Sequence, residues 1–258
     1  MAYVMRNGVA VYYEVHGSGP TVLLTHGFAA TGRMWTPQMD LLTRKRRVVV
    51  WDMRGHGRTD SPEDPSLYSE AETVDDMAAI LDAIGADKAI VGGHSLGGYM
   101  SMAFHCRFPE RVAALLLCGT GPGYRRDDVR ETWNERARAI GDAIREKGLA
   151  DLRRYSAEMD PADHKSARGL VNAAYGMLTQ RDDRIINSLG SVSAPTLVTV
   201  GAEDRGYLAG TEYLSLKIKG AQYAVFEGAG HAANIDKPQA FNAALAQFLA
   251  SRVDPLGA

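Results

Sequence analysis

Residues 89–100 read Ala-Ile-Val-Gly-Gly-His-Ser-Leu-Gly-Gly-Tyr-Met, four glycines packed around one serine. The apolar run 88–93 ahead of them has the composition of a buried strand, and 95–107 that of a helix. Glycines at a strand-to-helix junction serve two unrelated devices. A phosphate cradle needs Gly-x4-Gly-Lys-Ser/Thr; Gly92 and Gly97 have the spacing, but Gly98 stands where the lysine belongs. A dinucleotide loop needs Gly-x-Gly-x-x-Gly, a pattern found nowhere in the chain. What fits is Gly-x-Ser-x-Gly, as Gly93-His94-Ser95-Leu96-Gly97. In this context the serine sits on a sharp, strained turn, and small residues two before and two after it avoid the neighbouring strand and helix. The helix start also offers the free N–H of Leu96 and a positive dipole end to a developing oxyanion.

The rest of the chain repeats the strand–helix alternation. Strands are expected near 3–6 and over 9–17, 21–27, 47–57, 88–93, 112–119, 196–201 and 222–228. Helices are expected over 33–45, 70–84, 95–107, 207–218 and 238–251. Asn7-Gly8 between the first two runs predicts a tight hairpin. Such alternation predicts an α/β fold: a mostly parallel central sheet with an N-terminal antiparallel hairpin and helices on both faces. The alternation stops between 121 and 190, which is helical and strand-poor. The expected organisation is a core of residues 1–120 and 191–258 carrying a helical cap insertion, 121–190. In 127–147, Val129, Trp133, Ala137, Ile140 and Ile144 make one apolar stripe suited to packing.

With 258 residues, 45 % of them apolar, one large domain with a substantial core is expected. The formal charge of −2 and scattered basic residues give no footprint for nucleic acid. No signal core or membrane-length apolar run is present, so a cytoplasmic protein is expected. Cys106 and Cys118 read as reduced thiols of that compartment.

A serine hydroxyl needs a base. Of seven histidines, His231 lies just beyond the last strand, and strand ends at the carboxyl edge of a parallel sheet converge on one crevice. An imidazole needs a carboxylate to fix its tautomer. Asp204 follows the preceding strand at the same edge, with Glu203 as its neighbouring alternative. No acid follows the strand ending near 119. The second oxyanion donor is expected from the loop after Leu23-Leu24-Thr25, with the backbone N–H of Phe28 as candidate. His26 and Gly27 are expected to shape that loop.

These residues resemble the α/β-hydrolase superfamily, in a serine-nucleophile, carboxylesterase or enol-lactonase-like branch, over essentially the whole chain. The marks are His26-Gly27-Phe28, "DMRGHGRTD" (52–60), "GHSLGG" (93–98), "GAEDRG" (201–206) and "GAGHAANIDKP" (228–238). The resemblance implies Ser95 as nucleophile, His231 as base, Asp204 as acid, the Phe28 and Leu96 amides as oxyanion hole, and neither cofactor nor metal. It implies structural roles for Asp52, Arg54 and His56. A serine nucleophile argues against the dehalogenases and epoxide hydrolases of this fold. Ala232 replaces the usual tryptophan of the ring-cleavage C–C hydrolases.

The expected activity is hydrolysis of a small, largely apolar ester or lactone through an acyl-enzyme. The alternatives are a perhydrolase or haloperoxidase, or a C–C bond hydrolase, with the same triad, and a small-ligand receptor of the same fold. A monomer or homodimer is expected, with no nucleic-acid or membrane partner. Candidate pocket residues are Trp35 and Met34 near the oxyanion loop, and Tyr124, Trp133, Tyr155, Met159, Tyr175 and Met177 in the cap. Arg125 and Arg126 are candidates for binding a substrate carboxylate.

Overall fold

The computed structural model describes residues 1–154, 156 and 158–254. Its strands are β1 (Ala2–Arg6), β2 (Val9–His16), β3 (Thr21–Thr25), β4 (Arg47–Trp51), β5 (Ala89–His94), β6 (Val112–Cys118), β7 (Thr196–Gly201) and β8 (Gln222–Phe226). Its α-helices are α1 (Thr36–Leu42), α2 (Glu70–Ala83), α3 (Leu96–Arg107), α4 (Asp127–Lys147), α5 (Ala167–Ala173), α6 (Arg184–Ser188), α7 (Leu208–Lys217), α8 (Ala233–Asp236) and α9 (Pro238–Phe248). One eight-stranded sheet runs in the order β1-β2-β4-β3-β5-β6-β7-β8. β1 and β2 pair antiparallel, β2 pairs antiparallel with β4, and all other pairs are parallel. The hairpin turn takes positive φ at both Asn7 (51°) and Gly8 (75°), the backbone that Asn-Gly supplies most readily.

The central strands bury both faces, so their residues alternate between two apolar layers rather than between core and water. Leu23, Val91, Leu115 and Leu117 face one layer, with Met77 and Ile80 of α2 and Met100 and Phe104 of α3. Val22, Leu24, Ile90 and Leu116 face the other, with Leu42 of α1 and Phe241, Leu245 and Phe248 of α9. The helical segment between β6 and β7 joins the first layer through Ala137 and Ile144 of α4, Leu170 of α5 and Ile185 of α6. Val129, at the start of the expected stripe, is exposed instead.

β3 pairs with β4 on one side and β5 on the other, so the connection from β3 to β4 runs one way and that from β4 to β5 crosses back past β3. Such a reversal opens a crevice at the carboxyl ends of the strands. The loop after β3 and the turn after β5 both border it.

Within "DMRGHG", Asp52 and Arg54 tie neighbouring segments together. The Asp52 carboxylate accepts from the Gly32 and Arg58 amides, each at 2.9 Å. Arg54 is fully buried and forks onto Asp76 of α2, with Nε and Nη2 at 2.6 and 2.8 Å from the carboxylate oxygens. Asp76 also accepts from Arg6 Nε of β1 at 2.6 Å, so one buried carboxylate ties hairpin, loop and helix together.

Five histidines lie buried inside the protein. Burial pushes His26 and His94 down to about 4 and lowers His56, His105 and His164 as well. Two of them use a ring nitrogen as an acceptor, from Met53 N–H (2.9 Å to His26 Nε2) and Gly57 N–H (3.2 Å to His164 Nδ1). Folded-state values below the unfolded one, roughly 6.5, mean that acid favours the unfolded chain. Stability is therefore expected in full above about pH 6.5 and to fall as pH drops toward 4. Urea midpoints taken from pH 7.5 down to 4.5 check this; a flat profile contradicts it.

Candidate active site

The Ser95 backbone stands at φ 52°, ψ −116°, a region an L-residue occupies only when its surroundings enforce it. Those surroundings are visible. A Cβ on Gly93 would lie 2.2 Å from the Gly97 carbonyl carbon, and one on Gly97 would lie 2.4 Å from Thr25 O. The Ser95 amide donates to Cys118 O (2.8 Å), and its carbonyl accepts from Thr120 Oγ1 (2.8 Å) and from the Gly98 and Tyr99 amides. The backbone is thus anchored on both sides, and the side chain projects from the tip of the turn.

β3 and β5 are in register through Thr25 and Gly93, so His26–Phe28 emerges beside His94 and Ser95. His26 Nδ1 donates to Gly27 O (2.6 Å), which shapes this loop as expected. The Phe28 and Leu96 amides donate to no protein acceptor among the described residues. Ala29 follows at φ 55°, and its carbonyl accepts from His164 Nε2 at 2.9 Å. His164 comes from the segment between β6 and β7, so that segment clasps the loop carrying Phe28. Arg33 adds an ion pair to Asp163 at 2.6 Å.

His231 and Asp204 meet directly: Nδ1 lies 2.7 Å from the Asp204 carboxylate. Asp204 is buried and Glu203 is exposed, which separates the two neighbouring acids by direction. The loop carrying His231 is pinned twice, by Gly230 N–H to Asp236 (2.8 Å) and by His94 Nε2 to His231 O (2.9 Å). Tyr207 stacks on the His231 ring with centroids 4.6 Å apart. Burial pushes the Tyr207 hydroxyl up, and the Ser95 side chain lies against it. No hydrogen bond joins Ser95 to His231 among the described residues; such bonds are often long before substrate enters and tighten afterwards.

A cavity of about 360 Å³ opens in front of Ser95, lined by Leu96 and by Tyr124 and Trp133 of the helical segment. The other expected lining residues that are described lie elsewhere. Met34 and Trp35 are buried in the opposite layer, because the turn Gly32–Trp35 directs them under the sheet toward α9. Met177 is buried in the first layer, and Tyr175 packs over Gly141 with its hydroxyl on Asp142 at 2.6 Å. Met159 packs, partly buried, against the same layer. Tyr155 lies outside the described residues. Arg125 is exposed and donates to Asn187 (2.9 Å), while exposed Arg126 pairs with Asp128. Neither lines the cavity.

Tyr207, His94 and His164 are absent from the sequence-based site. The first was legible only as a residue three past Asp204, His94 as a histidine of a glycine-rich loop and His164 as one within the segment 121–190. No helix among the described residues is long and apolar enough to cross a membrane, and no cluster of potential metal ligands occurs among them.

Known proteins share this arrangement of chain. A Bacillus subtilis (strain 168) protein provisionally named a 2-succinyl-6-hydroxy-2,4-cyclohexadiene-1-carboxylate synthase is 28 % identical over 263 residues, covering 93 % of this chain and 96 % of the relative. The 3-oxoadipate enol-lactonase 1 of Acinetobacter baylyi (strain ATCC 33305 / BD413 / ADP1) is 28 % identical over 270 residues, covering 95 % of each chain. The crystallised thermophilic esterase of Thermogutta terrifontis superposes with a TM-score of 0.83 at 26 % identity, over 98 % of this chain and 97 % of that one. Residues 20–167 match the family described as alpha/beta hydrolase fold, and the chain belongs to that family.

Proposed function

We propose that the protein is a serine hydrolase that cleaves carboxylic esters or lactones of small, largely apolar substrates through an acyl-enzyme on Ser95. The observation that carries this reading is the 2.7 Å contact of His231 Nδ1 with buried Asp204, at the strand edge where the strained turn presents Ser95. The esterase and lactonase names of the relatives point the same way.

In the proposed reaction Ser95 Oγ attacks the carbonyl carbon as His231 Nε2 takes its proton. Asp204 fixes the tautomer with the proton on Nδ1 and stabilises the imidazolium. The Phe28 and Leu96 amides receive the oxyanion, each such donor contributing about 3 kcal/mol to lowering the barrier. Collapse breaks the bond to the leaving oxygen, which takes the proton from His231. Water, activated by the same imidazole, then attacks the acyl-enzyme, releasing the acid and restoring the Ser95 hydroxyl. The segment 121–190 serves as the cap, with Tyr124 and Trp133 against the substrate.

The proposal is tested by rapid mixing with p-nitrophenyl acetate. An initial burst of nitrophenol stoichiometric with enzyme, with acetyl mass on the peptide containing Ser95, is expected when deacylation is slowed at low pH. Acyl mass on any other residue contradicts it.

A further inference from the structure

The loop after β3, which carries the Phe28 amide, is strained one residue further on. Ala29 stands at φ 55°, a left-handed backbone that alanine adopts only when its surroundings enforce it. It is the third residue of a turn closed by Ala30 N–H on Gly27 O (3.2 Å), and Phe28 is the second. Relaxation of Ala29 would redirect the chain on either side, and the Phe28 amide with it.

A side chain from a distant segment holds that backbone. His164 Nδ1 accepts from Gly57 N–H (3.2 Å), which leaves the ring proton on Nε2. That proton is donated to Ala29 O at 2.9 Å. One neutral tautomer thus serves both bonds, and burial, which lowers His164, keeps the ring in it. The rings extend the grip. His164 meets His56 edge-on with centroids 5.9 Å apart, and His56 meets the Phe28 ring edge-on at 5.7 Å. The neighbouring Arg33–Asp163 pair is weaker support, because Arg33 is 71 % exposed and such pairs contribute little.

We propose that His164 is a positioning residue for the reaction: through Ala29 O it holds the loop in the strained form that points the Phe28 amide at the oxyanion. A residue of the segment between β6 and β7 thereby helps to build the oxyanion hole. The inference rests on the reading of Ser95 as nucleophile and of Phe28 as an oxyanion donor.

Two near-isosteric substitutions divide the two bonds of the ring. In His164→Gln the side-chain amide reaches as far as Nε2 did and can donate to Ala29 O. In His164→Asn it reaches only as far as Nδ1 did, so the Gly57 bond is kept and the Ala29 bond is lost. The readouts are kcat/KM for p-nitrophenyl acetate and the inhibition constant of butyl trifluoromethyl ketone. Ser95 Oγ adds to the carbonyl carbon of that ketone. The carbonyl electron pair becomes an oxyanion in the hole, and the serine proton rests on His231. An inhibition constant does not depend on the fraction of folded enzyme, so partial misfolding leaves it unchanged.

His164→Asn is expected to lower kcat/KM roughly 100-fold, the scale of a misplacement of about 1 Å, and to raise the inhibition constant by a similar factor. His164→Gln is expected to keep most of both. If His164→Asn does not fold, His164→Leu, which also loses the Ala29 bond, takes its place with the same expectation. An inhibition constant unchanged without the Ala29 bond overturns the proposal. So does an equal loss in His164→Gln, which would tie the effect to the imidazole and not to the bond. Ester turnover by the wild type leaves the Ser95 reading standing in either case. A wild type that neither turns over an ester nor binds the ketone removes both.

Discussion

Ser95→Ala is expected to lower kcat/KM for esters by about a million-fold, the scale seen when a nucleophile of this kind is removed, while leaving the fold intact. The size of the loss follows from the proposed chemistry. Without Oγ no acyl-enzyme forms, and His231 and Asp204 have no proton transfer to assist. What remains is the polarising effect of the oxyanion donors on a bound carbonyl. The substitution removes a single side-chain oxygen. The bonds that hold the turn, Ser95 N–H to Cys118 O and Thr120 Oγ1 to Ser95 O, use only the backbone. Alanine at φ 52° is also no more strained than serine, so thermal unfolding is expected within a few degrees of wild type. Steady-state turnover beside a melting curve checks both halves. Residual activity within tenfold of wild type would move the nucleophile elsewhere.

The second large effect belongs to Asp204→Asn, expected to reduce kcat by about ten-thousand-fold with KM little changed. The asparagine amide can donate to His231 Nδ1, which favours the tautomer carrying its proton on Nε2. That tautomer cannot accept from Ser95. Glu203→Gln is the matched control one residue away: its side chain is exposed and its backbone N–H bonds to Ala229 O, which the substitution leaves untouched. It is expected to keep most activity. The reverse ranking would reassign the acid.

The fold was legible because its signals are local. Asn7-Gly8 sets the hairpin, and the uninterrupted apolar runs of β3 to β7 announce strands buried on both faces. Strand ends slipped where glycine-rich loops follow. The run 47–57 leaves the sheet after Trp51, because Asp52 turns to accept the Gly32 and Arg58 amides. The pairing of Asp204 with His231 was legible because both follow adjacent parallel strands, so topology alone brings them to one edge. Pocket walls were less so. Met34 and Trp35 are close in sequence to Phe28, yet sequence distance says nothing about which side of the sheet a short 3-10 turn faces. Met177 lies in the helical segment between β6 and β7, but on the face of its helical turn that packs inward. His94, His164 and Tyr207 act through contacts across 137, 135 and 24 residues of chain, which no local pattern encodes.

The most direct test of the account is covalent trapping by a small neutral fluorophosphonate, with the labelled peptide identified by mass. The account predicts one phosphonyl group per chain, on Ser95, with activity lost in proportion and labelling absent from Ser95→Ala. Labelling of another residue, or full ester hydrolysis by an enzyme labelled at Ser95, would contradict it.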